Sequence, residues 1–184
     1  CEVIADRVAV LITYDGNAYT VTVKQGESTT LTEGESNDYT KTGSASANGK
    51  YYIVTVTGQG NYEGSFTTKY ALVKFDHKTA SGEFSGTFVS DAGDGDFAVP
   101  DGMKAYIITD IRVAVDQVVA VEVGYIPEGV PVLLLYDDYA SADPANGFLV
   151  KPKDDEIATV STANNLLKVT TAETSFSTGK IYLL

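Results

Sequence analysis

The sequence predicts an all-β protein built as two tandem β-sandwich domains, residues 1–75 and 76–184. Three observations carry this. Apolar residues recur at every second position over strand-length stretches, the period of a half-buried strand. Clusters of Gly, Pro, Asn, Asp and Ser separate those stretches, and these residues suit turns. The one helical hint is ATVSTANNLLK (158–168), whose Thr and Asn content limits it to a single helical turn.

The strands follow in order. Arg7 to Tyr14 reads as the first. AYTVTVK (18–24) alternates Tyr19, Val21 and Val23 against Thr20, Thr22 and Lys24. YYIVTVT (51–57) sets Tyr52, Val54 and Val56 against Tyr51, Ile53 and Thr55, and SFTTKYALVK (65–74) puts Phe66, Thr68, Tyr70 and Leu72 on one face. The turn clusters YDGN, KQGES, TEGESND and SASANGK lie between them. In the second half, GEFSGTFV (82–89), KAYIITDI (104–111), VVAVEV (118–123), VPVLLLY (130–136), GFLV (147–150), LLKVT (166–170) and KIYLL (180–184) are strand candidates. Many short strands punctuated by Gly and Pro point to sandwich architecture. The polar run FDHKTAS (75–81) is the natural boundary, because charge density changes there. Up to Lys74 the chain holds 8 acidic and 6 basic residues; beyond it, 17 and 7.

Composition excludes several function classes. The net charge of −12 opposes nucleic-acid binding, which rests on Lys and Arg neutralising phosphates. No apolar run reaches 18 residues, so no transmembrane segment is expected. Nor does a basic segment followed by an apolar one open the chain, so any signal peptide is expected to have been removed. The single cysteine, Cys1, forbids an intrachain disulfide. A Cys at the first position is where a mature bacterial lipoprotein carries its lipid, making Cys1 a candidate anchor; the other reading is a chain that simply begins there.

An internal echo marks the second half. VPDGMKAYII (99–108) and IPEGVPVLLL (126–135) share the order apolar, Pro, acid, Gly, strand. Pro is expected at the first corner of a turn, the acid at the second, and Gly to supply positive φ. Turn chemistry therefore accounts for Asp101 and Glu128 without a catalytic carboxylate pair.

The segments ITYDG (12–16), VTVKQGE (21–27), LTEGESNDYT (31–40) and VTVTGQGNYEGSF (54–66) resemble the immunoglobulin-like MBG/YDG repeat of bacterial surface and adhesin-like proteins. Gly58, Gly60, Asn61, Tyr62 and Gly64 fill its closing motif, and the resemblance implies a tight loop with Tyr62 folded back as a plug. SASANGKYY (44–52) departs from the pattern, where the family more often has Asn-Ala-Gly. The segments FAVPDGMKAYIITDI, VAVEVGYIPEGVPVLLL and GFLVKP resemble β-rich C-terminal modules of Bacteroidales secreted and surface proteins, in which a further strand or two usually follows a G-K-I-Y-type strand. Together these imply an extracellular or outer-membrane-anchored protein, non-catalytic, acting as a spacer or adhesion module.

Candidate sites are few. SDAGDGDF (90–97) clusters carboxylates, and a calcium site would draw on Asp91, Asp94, Asp96 and Asp101. The spacing of an EF-hand loop fails from either Asp91 or Asp94, so only a looser inter-strand site is in question, against a solvated loop. His77 sits in a polar connector, with no nucleophile elbow anywhere, and one His with one Cys cannot make a zinc site. Twelve tyrosines without tryptophan raise a carbohydrate platform of Tyr51, Tyr106, Tyr125, Tyr136 and Tyr139, against tyrosines that fill half-buried strand faces. The partners in view are a surface glycan or a protein ligand. A filament subunit assembled by strand donation, through KIYLL or the N-terminal strand, is a further reading.

Overall fold

The computed structural model describes residues 2–26, 28–75, 77–78, 83–136, 147–153 and 161–167. They form strands β1 (Glu2–Val3), β2 (Val8–Tyr14), β3 (Tyr19–Gln25), β4 (Thr29–Thr30), β5 (Tyr39–Ala45), β6 (Tyr51–Gly58), β7 (Tyr62–Glu63) and β8 (Ser65–Val73). These are followed by β9 (His77–Lys78), β10 (Phe84–Phe88), β11 (Phe97–Ala98), β12 (Met103–Arg112), β13 (Gln117–Val123), β14 (Tyr125–Ile126), β15 (Val132–Tyr136) and β16 (Phe148–Val150). Only the short 3-10 turns Ile4–Asp6 and Val113–Val115 are helical among the described residues. The all-β class expected from the alternation is therefore present. The chain divides into two compact units, Cys1–Lys74 with Asn146–Pro152, and Phe75–Ala145 with Lys153–Leu184.

In the first unit a three-stranded sheet, β2-β3-β4, and a four-stranded sheet, β16-β8-β6-β5, pack as a sandwich. The alternation explains why. Ile12 and Val23 from one sheet and Val54, Val56 and Tyr70 from the other are buried in one core. Each fully buried Val or Ile contributes about 1.5–3 kcal/mol. The Tyr70 hydroxyl crosses the core to donate to the Val10 carbonyl at 2.8 Å, which satisfies a polar atom that burial would otherwise strand. GFLV, expected among the strands of the second half, supplies β16, which pairs antiparallel with β8 from Phe148↔Val73 to Val150↔Ala71.

The closing motif of this unit is held by backbone geometry. Gly58 N–H donates to Gly64 C=O at 2.9 Å, and Tyr62 N–H to Gln59 C=O at 2.9 Å, which closes the loop. Gly60 has φ +58°, and a Cβ there would lie 2.6 Å from the Asn37 carbonyl oxygen. Tyr62 is the plug its motif implies. It is 9% exposed, belongs to the core, and its hydroxyl donates to Gln25 Oε1 at 3.0 Å. Alongside it β1 runs parallel to β7.

In the second unit the echo becomes architecture. β11 pairs antiparallel with β14, and β12 pairs antiparallel with β15, so the two Pro-acid-Gly units meet like with like. Each turn closes between Pro and the residue after Gly: Met103 N–H to Pro100 C=O at 3.1 Å, and Val130 N–H to Pro127 C=O at 3.2 Å. Pro thus precedes the corners, the acid occupies the first, and Gly the second, with φ +79° at Gly102 and +67° at Gly129. That corrects the expected assignment by one position and gives type II geometry. The main sheet has the order β13-β12-β15-β10-β9. Ala105, Ile107, Ile126, Val132 and Leu134 are buried, and Phe88 meets Phe97 edge to face at 6.5 Å.

Ladder pairing of β12 with β15 ends at Tyr106↔Leu133. Asn165, buried at 7%, takes over beyond it. Its Oδ1 accepts from Ile108 N–H and Leu167 N–H, both at 3.2 Å, and its Nδ2 donates to Pro131 C=O at 2.7 Å. Leu166 N–H donates to Ile108 C=O at 2.7 Å, and Asn165 N–H donates to Thr162 C=O at 3.1 Å, which closes a tight turn rather than the helical one the segment hinted at. Residues 158–160 and 168, and all of KIYLL, lie outside the described residues.

Candidate functional site

The acidic loop folds against the second Pro-acid-Gly turn. Gly93 and Gly95 take φ of +87° and +78° with open space around them, so they serve the curvature of the loop rather than close packing. The curve brings three groups into register with the turn. Asp96 Oδ1 accepts the Glu128 N–H at 2.8 Å, the Glu128 carboxylate accepts the Gly93 N–H, and Ser90 Oγ accepts the Gly129 N–H at 3.2 Å. Asp96 C=O also accepts Lys153 N–H at 2.9 Å. The loop and the turn cap one another, with carboxylates as acceptors and backbone amides as donors.

This geometry gives the four aspartates of the calcium expectation separate settings. Asp96 is aimed at a backbone amide. Asp101 stands exposed at the corner of the other turn. Asp91 and Asp94 lie within their own tight turn, where Asp94 N–H meets Asp91 C=O at 3.1 Å. Among the described residues no three His, Cys, Asp or Glu side chains are placed to hold a metal ion. Glu128 serves the clasp, so Asp101 and Glu128 act in separate turns, as the turn reading expects. His77 is exposed and sits in β9, paired with Ser85 of β10, where a connector was expected.

The tyrosine platform is redistributed. Tyr51, Tyr125 and Tyr136 are 3%, 4% and 5% exposed, which removes their faces from solvent and corrects the exposed-platform expectation. Lys69 Nζ lies 5.3 Å from the Tyr51 ring centre and Lys153 Nζ 5.0 Å from that of Tyr125, so long cationic side chains contact both rings. Tyr136 packs against Phe75 at 6.1 Å. Tyr106 is half-buried. Tyr139 and Cys1 lie outside the described residues.

A different trio stacks instead. Tyr14 and Tyr19, cross-strand neighbours at the Asp15 turn, lie 4.5 Å apart, and Tyr19 stacks on Tyr52 at 3.9 Å and 10°. The Tyr52 ring lies over Gly43 of β5, where a Cβ would come 2.6 Å from its hydroxyl. Burial, then the neighbouring Tyr14 and Tyr52, pushes the Tyr19 phenol above its ordinary range. The sequence signal was present but indirect: Tyr14 and Tyr19 flank a four-residue turn, and a glycine interrupts an otherwise regular strand. Asp15 Oδ1 caps that turn by accepting Ala18 N–H at 2.8 Å and Asn17 N–H at 2.9 Å, which holds its carboxyl below the ordinary range.

Beside the clasp, a shallow cleft of about 270 Å³ is lined by Gly129, Pro131, Thr162, Asn165 and Leu167. Its central polar residue, Asn165, is committed to backbone groups. No family model, no curated protein and no solved structure matches the chain.

Proposed function

We propose that the chain is a non-catalytic spacer or adhesion module of a bacterial cell-surface or secreted protein, outside the cell or held on the outer membrane. In this reading the first unit is an immunoglobulin-like sandwich of the MBG/YDG kind, and the second a sandwich of the Bacteroidales module type. One observation carries it: the side chains best suited to chemistry, Asp96, Glu128 and Asn165, each hold backbone amides or carbonyls of a neighbouring loop. Groups used this way fix a scaffold and are not available to a reacting centre.

A second reading, carbohydrate binding, draws support from the stacked and half-buried Tyr14 and Tyr19. A flat aromatic face suits the apolar face of a pyranose. One experiment separates the two: a broad glycan array probed with the wild-type chain and with Tyr14→Ala. The spacer reading expects no binding by either. Binding lost in Tyr14→Ala would replace it with the carbohydrate reading.

A further inference from the structure

Long edge strands are exposed pairing templates, and proteins blunt them with shortness, Lys, Pro, bulges or cover. The described edges of this chain follow that rule with one exception. β4, β9 and β16 have two, two and three residues. β5 carries Lys41 and Gly43. β2 lies against β16 within the first unit. β13 itself has none of these devices; the one irregularity beside it is the register shift its inner partner β12 makes between Ile108 and Asp110, opposite Ala120 and Val119. β13 is the end strand of the five-stranded sheet, seven residues long, and reads QVVAVEV with no Lys, Pro or Gly.

Exposed apolar groups gather on the same hairpin. Ile111, Val113, Val115 and Val121 are 41–59% exposed, and they are four of the seven large apolar residues so exposed among the described residues. Dispersed exposure needs no explanation, but this concentration on one hairpin does. Arg112 is paired with Asp110 at 3.0 Å, and Val118–Val121 is uncharged on a chain of net charge −12.

We propose that β13 is a homodimer edge, pairing antiparallel with β13 of a second copy about Ala120 and joining two sheets into one. Charge and symmetry select this occupant. A two-fold perpendicular to the sheet keeps side-chain faces matched, so opposed residues must be both odd or both even. One such register pairs the whole of Gln117–Val123. It sets Ala120 against Ala120, Val119 against Val121, Val118 against Glu122 and Gln117 against Val123, so no carboxylate faces another. A slip that centres Val119 instead would oppose Asp116 with Glu122 twice, and like charges directly opposed are destabilising. An unrelated acidic strand lacks this match. The proposal is independent of whether the module is a spacer or binds glycans.

The test uses the full chain and sedimentation across a wide concentration range. The expected result is a reversible shift from 19.5 kDa to twice that mass. Val121→Lys removes two symmetric Val119–Val121 contacts and is expected to weaken dimerisation about tenfold or more. In a Cys1→Ser background, Ala120→Cys is expected to form an intermolecular disulfide under mild oxidation, because self-opposed strand residues lie within bridging distance. Val118→Cys in the same background is expected to form no intermolecular disulfide, because Val118 is opposed to Glu122 and not to itself. A monomer at every concentration, an unchanged dimer in Val121→Lys, a filament without a dimer, or equal cross-linking at 118 and 120 would overturn the proposal. The cysteine pair keeps the test decisive even where Val121→Lys impairs folding.

Discussion

Asp96 and Glu128, 32 positions apart, cap one another's loops: the Asp96 carboxylate takes the backbone N–H of Glu128 at 2.8 Å, while the Glu128 carboxylate takes the N–H of Gly93. Neither acid needs a ligand to justify its place. The turn that carries Glu128 would otherwise leave an amide pointing at the loop, and a charged acceptor satisfies it well. The same logic recurs at Asn165, where a side chain continues a ladder that β15 no longer supplies.

Asn165→Ala is expected to destabilise the second unit by about 2–4 kcal/mol, because it orphans the Ile108 and Leu167 amides and the Pro131 carbonyl in a buried setting. Asn164→Ala, at the exposed neighbouring position, is expected to stay within about 0.5 kcal/mol. Urea unfolding of the two variants, compared with wild type, checks both.

Gly60 of the closing motif and Gly26 of the turn between β3 and β4 differ in what surrounds them. Gly60→Ala must accept both positive φ and a contact with the Asn37 carbonyl, and is expected to cost about 2 kcal/mol or more. Gly26→Ala meets only the positive φ, with nothing within 4 Å, and is expected to cost about 1 kcal/mol. Equal effects in thermal unfolding would contradict the backbone account of the motif.

Two titrations act at opposite ends of the pH scale. Tyr19 has a raised pKa, so its contribution is complete below the ordinary tyrosine range and is lost as pH climbs through the folded value. Asp15 has a lowered pKa, so its contribution is complete above the ordinary carboxylate range and is lost as pH falls through the folded value. Ultraviolet titration of tyrosinate should show Tyr19→Phe losing a late-titrating phenol. Asp15→Asn should flatten the acid limb of the stability curve.

Much of the fold was legible in the sequence because alternation and turn chemistry are local. Val54 and Val56 faced the core as their period required, and both Pro-acid-Gly units became turns leading into strands. β5 was not legible. YTKTGSA has little apolar alternation, and its Gly43 is explained only by the ring of Tyr52 on the next strand. β16 was legible as a strand, but its partner β8 lies some 75 residues earlier in the chain, and periodicity carries no information about partners. The tyrosine list failed for a similar reason. Strand position does not say which face a neighbouring element covers, and Tyr51, Tyr125 and Tyr136 are all covered. The clasp needed the acidic loop and the echo to be read together, and their spacing along the chain gives no hint of contact.

The central claim is that Asp96 and Glu128 clasp the acidic loop to the second Pro-acid-Gly turn, each accepting a backbone amide. A double-mutant cycle of Asp96→Ala and Glu128→Ala, measured by thermal unfolding with and without millimolar calcium, tests it most directly. Each single change is expected to cost about 1 kcal/mol, the pair to cost less than the sum of the two, and calcium to leave every melting temperature unchanged. A rise in the wild-type melting temperature with calcium, abolished by Asp96→Ala, would contradict the account.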